Sequence, residues 1–196
     1  MTYPPQQHQD NDINHMIEVI KTYPLATVIS VHNNQPLITH LPLIYDDKKL
    51  IGHIDINNPQ AQLLKDGNDV TLIFSGPECY ISPSIYSTTQ LPTWNYIKVH
   101  LKGKVNTNPD KMALKQSLIT MTEFLEAPDH RYILNVNNPR LDKNLDYIVM
   151  FEITITQWEG KFKLSQDKKP TDIIAAREEL VRSNQESIKQ FLNKVF

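Results

Sequence analysis

Apolar residues at Ile13, Met16, Ile17 and Ile20 fall at helical spacing, with Asp12 placed as an N-cap. Tyr23-Pro24 ends this predicted helix. The pattern then turns to β. Positions 25–31 are β-rich, Asn33-Asn34 reads as a hairpin turn, and 36–45 is the returning strand. Asp46-Asp47-Lys48-Lys49 marks the next turn and 50–56 the next strand. Asn58-Pro59 joins a cap to a proline at the first helical position, which predicts a helix ending at Gly67. A buried strand is expected over 69–75, a turn at Gly76-Pro77, a short extended piece over 80–83 and a polar loop over 84–91. A long alternating strand follows over 96–105. The spacing of Leu114, Leu118, Met121 and Leu125 predicts an amphipathic helix over 109–126. A short helix is expected within 128–142, an alternating strand over 147–156, a short basic piece over 160–164 and a final helix over 171–196.

Six or so antiparallel strands with helices between them predict a mainly β chain of the α+β class, a barrel with helical decoration. The expected division is a barrel domain over 1–170 and an amphipathic helix over 171–196, packed on the barrel or on a partner.

A chain of 196 residues buries a core without staples. The formal charge of −2 lacks the basic excess of a general nucleic-acid binder, which leaves only a local basic patch. Cys79 is the single cysteine, so an intrachain disulfide and an all-cysteine zinc site are excluded. None of the five glycines falls in a dinucleotide or P-loop fingerprint. There is no close histidine pair for a metal and no nucleophile elbow. No apolar run suits a bilayer span, and the polar start lacks signal-peptide character. The expected setting is cytoplasmic, with no membrane partner.

Four segments carry candidate chemistry, each with a plainer reading beside it. In Thr39-His40-Leu41-Pro42, the proline cannot donate to a ladder, so the strand belongs at an edge or bulge with backbone groups free for a ligand; the alternative is an ordinary strand. His53, Ile54 and Asp55 run into Asn58-Pro59-Gln60, where a helix N-terminus suits phosphate; the alternative is that Asn58 only caps. Trp94-Asn95-Tyr96 offers an aromatic platform with an amide between the rings. Beyond it Lys98, His100, Lys102 and Lys104 share one strand face, either solvated or turned to an anion, a nucleic-acid backbone or a second subunit. Lys161, Lys163 and Ser165 alternate to one side and suit a phosphate or carboxylate, or else form a solvated edge.

Taken together, these motifs resemble the PaiB family. They are His40-Leu41-Pro42-Leu43, Gly52-His53 with Asn58-Pro59-Gln60, Gly76-Pro77 with Tyr80-Ile81-Ser82-Pro83-Ser84, Pro92-Thr93-Trp94-Asn95-Tyr96 with Val99-His100, and Lys161-Phe162-Lys163-Leu164-Ser165-Gln166. The resemblance implies an FMN-binding split β-barrel related to pyridoxamine-phosphate oxidases, a homodimer with FMN at its interface, and negative transcriptional regulation of protease production and sporulation. It implies that Thr39, His40 and Leu41 border the flavin ring. His53, Ile54, Asp55, Asn58 and Gln60 then approach ribityl and phosphate, and Trp94, Asn95, Tyr96, Lys161, Lys163 and Ser165 complete the pocket from the same or the other subunit. Where the wider superfamily has an Arg-Lys pair near the phosphate, this chain has Asn58-Pro59-Gln60. An exposed helix terminus contributes only about 1 kcal/mol, less than a tenfold change in affinity, so weak FMN retention is expected. DNA contact, direct or indirect, goes with the regulatory reading, yet no helix clusters Arg with Asn or Gln as a recognition helix does. Two alternatives stand beside it: an FMN-dependent oxidoreductase, and a haem-binding or haem-degrading split barrel using His40, His53 or His100.

Overall fold

Two tight turns set the first half of the sheet. Asn33 and Asn34 have φ of 50° and 60°, and Asp47 and Lys48 have 37° and 68°. Such left-handed pairs match the twist of a two-residue hairpin, and Asn and Asp tolerate them. The first turn joins β2 (Leu25–His32) to β3 (Gln35–Pro42), and the second joins β4 (Ile44–Asp46) to β5 (Lys49–Asp55). The computed structural model describes the backbone of residues 4–195 and the side chains of 4–185.

Among these residues, β1 (Gln9–Asp10), β6 (Asp69–Ile81), β7 (Thr93–Thr107) and β8 (Ile148–Lys163) complete an eight-stranded antiparallel sheet. Its order is β3-β2-β6-β7-β8-β5-β4, with β1 paired to β8. β3 also packs beside β5, which closes the sheet into a barrel. Pro36 and Pro42 both lie in β3, which pairs with β2 alone, so the edge placement inferred from Pro42 holds.

Alternate residues of the strands fill the barrel. Val28, Leu50, Ile54, Leu72, Phe74, Val99, Leu101, Phe151 and Ile153 are buried in one cluster. α1 (Ile13–Thr22) adds Met16, Val19 and Ile20 to it, with Asp12 accepting from Asn14 N as the expected cap. Gly52 is needed where Leu43 crosses β5: a Cβ there would lie 2.4 Å from Leu43 Cδ2. Gly160 lets β1 approach β8, since its Cβ would lie 2.6 Å from Asp10 O.

The strands run further than their hydrophobic patterns suggest. Gly76-Pro77 is not a turn between elements; it sits in a bulge between Ser75 and Glu78 within the single 13-residue β6. The pieces expected over 147–156 and 160–164 are one strand of 16 residues. The helix expected from Asn58 to Gly67 is only a 3₁₀ turn, Pro59–Gln62. α2 (Lys111–Glu126) lies over the β8 side of the barrel, and α3 (Pro139–Asn144) overlaps only the end of the span 128–142 expected to hold a short helix. α4 (Pro170–Val195) packs Ala176 and Leu180 onto Cys79 and Ile81 of β6.

Candidate functional site

The expected site residues fall into two groups. The first lies along the seam between β3 and the turn that follows β5. Thr39 and Leu41 are half-buried on the inward side of β3, while His40 is exposed, its Nδ1 3.1 Å from Thr27 Oγ1. Asn58 Nδ2 donates to Thr39 Oγ1 at 3.2 Å and Asn58 Oδ1 accepts from Gln60 N at 2.9 Å. One asparagine thus caps the 3₁₀ turn and ties it to β3. A four-residue 3₁₀ turn has little of a helix dipole, so the phosphate seat expected at its N-terminus is withdrawn.

Several residues of this group serve the fold. Gln60 is buried, and its Nε2 donates to Val28 O and Ser30 Oγ, both at 3.0 Å. Ile54 is part of the core. Asp55 Oδ1 accepts from Asn57 N and Nδ2, which fixes the turn. His53 points under α2, where its Nε2 lies 2.7 Å from Ser117 Oγ. The Ser117 hydroxyl donates to Leu114 O, so the imidazole is the donor to Ser117. Nδ1 is then a buried acceptor without a partner among the described residues. Burial alone pushes the His53 pKa down to about 4, so the ring is neutral.

The second group lies at the far ends of β7 and β8. Strand alternation splits the aromatic platform: Trp94 and Tyr96 face outward, and Asn95 is buried on the other side. Trp94 meets Tyr80 of β6 with ring centroids 6.4 Å apart, a partner visible only once Tyr80 and Trp94 are paired in register. Asn95 is no ligand handle. Its amide exchanges bonds of 3.0 and 3.2 Å with Ser165 Oγ, which also lies 2.8 Å from Tyr86 OH. Ser165 has φ of 63° just past the end of β8, so it leaves the alternation that was to align it with Lys161 and Lys163. Lys163 donates to Thr93 Oγ1 at 2.5 Å and borders a 300 Å³ cleft with His8, Gln90 and Lys168.

The basic face of β7 is largely neutralised within the chain. Lys98 pairs with Glu78 at 2.5 Å and Lys104 with Asp69 at 2.9 Å. Lys161, opposite Lys98 in register, pairs with Glu159 at 3.2 Å. His100 stands 3.8 Å from the same carboxylate, yet burial, then Lys161, hold its pKa below the ordinary value. Lys102 and Lys163 lack a carboxylate partner among the described residues. Glu78 and Glu159 are not among the expected site residues; strand pairing sets them beside the basic face that Lys98 and His100 belong to.

Residues 2–157 match the family described as "Putative FMN-binding domain". The chain belongs to this family. Over 193 residues it is 28% identical to "Protease synthase and sporulation protein PAI 2" of Bacillus subtilis, covering 96% of this chain and 93% of that protein. This relative is of the PaiB type, as the motifs implied. A protein of Emericella nidulans is 26% identical over 82% of each chain. Among solved structures, the FAD and haem binding protein of Mycobacterium smegmatis has a TM-score of 0.67 at 18% identity, covering 86% of this chain and 80% of that one. The flavocytochrome Anf3 of Azotobacter vinelandii has a TM-score of 0.66 at 16% identity, covering 84% and 74%. These likenesses establish the split-barrel fold.

FMN fits the donor set only when the two groups are combined. The seam offers the β3 edge, the Thr39 hydroxyl and an apolar wall at Leu41, but no cation, and the Asp55 carboxylate stands in its turn. Cations for a phosphate dianion are at Lys161 and Lys163, beside Trp94 and Tyr96.

Proposed function

We propose that this FMN-binding-domain protein is a homodimeric flavoprotein regulator of the PaiB type, with each FMN held between two subunits. The seam around Thr39, Leu41 and Asn58 takes the ring edge from one copy. Trp94, Tyr96, Lys161 and Lys163 of the second copy supply a stacking surface and the charge for the phosphate. When bound, FMN supplies redox chemistry of its own.

One observation carries the shared pocket. The turn after β5 sits at the start of β8, with Ile56 N donating to Tyr147 O, whereas Lys161 and Lys163 stand at the end of that strand. β8 spans 16 residues, a contour of about 50 Å. In the sheet order β2 and β6 also stand between β3 and β7, which supports reading the two groups as meeting on one ligand across two copies. The regulatory reading draws on the name of the B. subtilis relative. Two of the three β7 lysines expected to meet DNA are ion-paired, which removes most of the charge argument for direct phosphate contact. The haem alternative loses one of its three candidate ligands, because His53 is buried against Ser117.

The test is complementation between two defective variants. Thr39→Trp blocks the seam, and Lys161→Glu with Lys163→Glu reverses the charge of the other group. Each alone is expected to lose FMN fluorescence quenching. After mixing and subunit exchange, about a quarter of the pockets have both groups intact, the statistical share for a two-fold dimer with shared sites. Recovery of that fraction supports the reading. No recovery, with exchange verified by a tagged copy, overturns it.

A further inference from the structure

A large cavity lies on the α2 side of the turn that carries Asn58 and Gln60. It has a volume of about 800 Å³ and opens between α2, the 3₁₀ turn and the start of β8. This size falls within the range of small-molecule sites, roughly 300–1,000 Å³. Its walls are apolar: Leu64, Leu114, Val149, Met150 and Ile56. Ile56, at the mouth, is 52% exposed and open to a ligand.

The polar groups at the mouth divide into committed and uncommitted ones. Asp66 Oδ1 accepts from Thr107 N and Oγ1. Lys111 and Asp146 pair with each other at 2.5 Å. Asn108 Oδ1 accepts from Asp110 N, and among the described residues its Nδ2 has no partner. Among the described residues the Lys65 ammonium and the Gln62 amide have no partner either. The uncommitted set therefore holds one positive charge and two neutral amides capable of donating. An apolar chamber with this rim suits a molecule with an apolar body and one anionic head.

We propose that this cavity binds a small amphipathic anion, an aromatic or aliphatic carboxylate or sulfonate, with its body against Ile56, Leu64 and Val149 and its head at Lys65. None of the residues assigned to the flavin lines this site, although Ile56 and Ala61 flank the turn that carries Asn58 and Gln60, and the proposal does not depend on the flavin reading. Leu114, in its wall, accepts the hydroxyl of Ser117, which holds His53 on β5. Occupancy is thus one turn of α2 away from the strand that leads to Asn58.

The test titrates the full chain, with and without FMN, using the fluorescent anion anilinonaphthalene sulfonate and its uncharged analogue phenylnaphthylamine. One saturable site per chain is expected for both. Ile56→Asp, at a half-exposed position that leaves the core intact, should weaken the sulfonate about tenfold or more by adding a carboxylate to an apolar wall. Lys65→Glu should weaken the sulfonate about tenfold and leave the uncharged probe unchanged, since only the first has a head to pair. Absence of saturable binding, or binding indifferent to Ile56→Asp, overturns the site. Equal loss of both probes on Lys65→Glu overturns the anionic head. Stoichiometric, competitive displacement of the probe by FMN, with no probe bound at saturating FMN, would place it at the flavin site and overturn the separation.

Discussion

His53 is the residue with the sharpest pH consequence. Its folded pKa of about 4 lies below the ordinary 6.5 because burial disfavours the imidazolium. The unfolded chain therefore binds more protons than the folded one between those values. The stabilisation is fully present above pH 6.5 and is lost as pH falls towards 4, by about 3 kcal/mol in all. His53→Gln keeps a donor for Ser117 without a titrating ring. Urea unfolding between pH 7 and 4 should show a shallower decline for the variant than for the parent chain. At the same scale, Asn95 shows how a site is misread from composition. As one polar residue between two aromatics it resembles a ligand handle. The alternation of β7 already placed it with Ile97 and Val99 on the buried face, where Ser165 satisfies it. The strand period was legible; the partner 70 residues away was not.

Among the elements, helices and hairpins read well because their signals are local. The Asp12 cap and the two left-handed turns each depend on adjacent residues. Strand lengths read poorly, because pairing continues through residues that break the hydrophobic pattern. Gly76-Pro77 is accommodated as a bulge because β7 still pairs on both sides of it. Gln157 to Gly160 interrupt the alternation of β8, yet β7 continues to pair with them. The 3₁₀ turn fell short of a helix because Gln60 is drawn into the barrel to bond Val28 O and Ser30 Oγ. α4 has its own anchor, Asp172, in its first turn. It is buried and accepts from Ser87 N at 2.7 Å and Thr88 Oγ1 at 3.0 Å. The bond from the Ser87 backbone, first among the causes, holds its pKa below the usual carboxylate range. Asp172→Asn removes the charge from both bonds and leaves one oxygen for two donors. The loop over 84–91 should then exchange its amides faster and be cut sooner in limited proteolysis, with the barrel amides unchanged. In the parent chain the same loosening should appear as pH falls through the lowered pKa of Asp172, and be absent above the ordinary value.

At the scale of the whole molecule, a cofactor site split between the seam and the ends of β7 and β8 ties flavin affinity to assembly. If FMN contacts both copies, it binds the dimer and not the separated chains. Linkage then requires FMN to stabilise the dimer by the same factor by which dimerisation tightens FMN. Two observable effects follow from this one coupling. Dilution of the protein below its dimer dissociation constant should raise the FMN concentration needed for half-saturation. Added FMN should in turn shift sedimentation towards the dimer at fixed protein concentration. The lysine group sets a further sign. Lys161 is 17% exposed at its side chain and already shares Glu159, so its pairing with phosphate is screened less than a surface contact. Raising salt should weaken FMN binding only modestly, while Lys161→Gln with Lys163→Gln should weaken it strongly and leave dimerisation without FMN unchanged. A half-saturation point that ignores protein concentration would mean that each chain binds its flavin alone. The seam would then have to hold the dianion without a cation, which its asparagines and the Asp55 carboxylate are poorly suited to do.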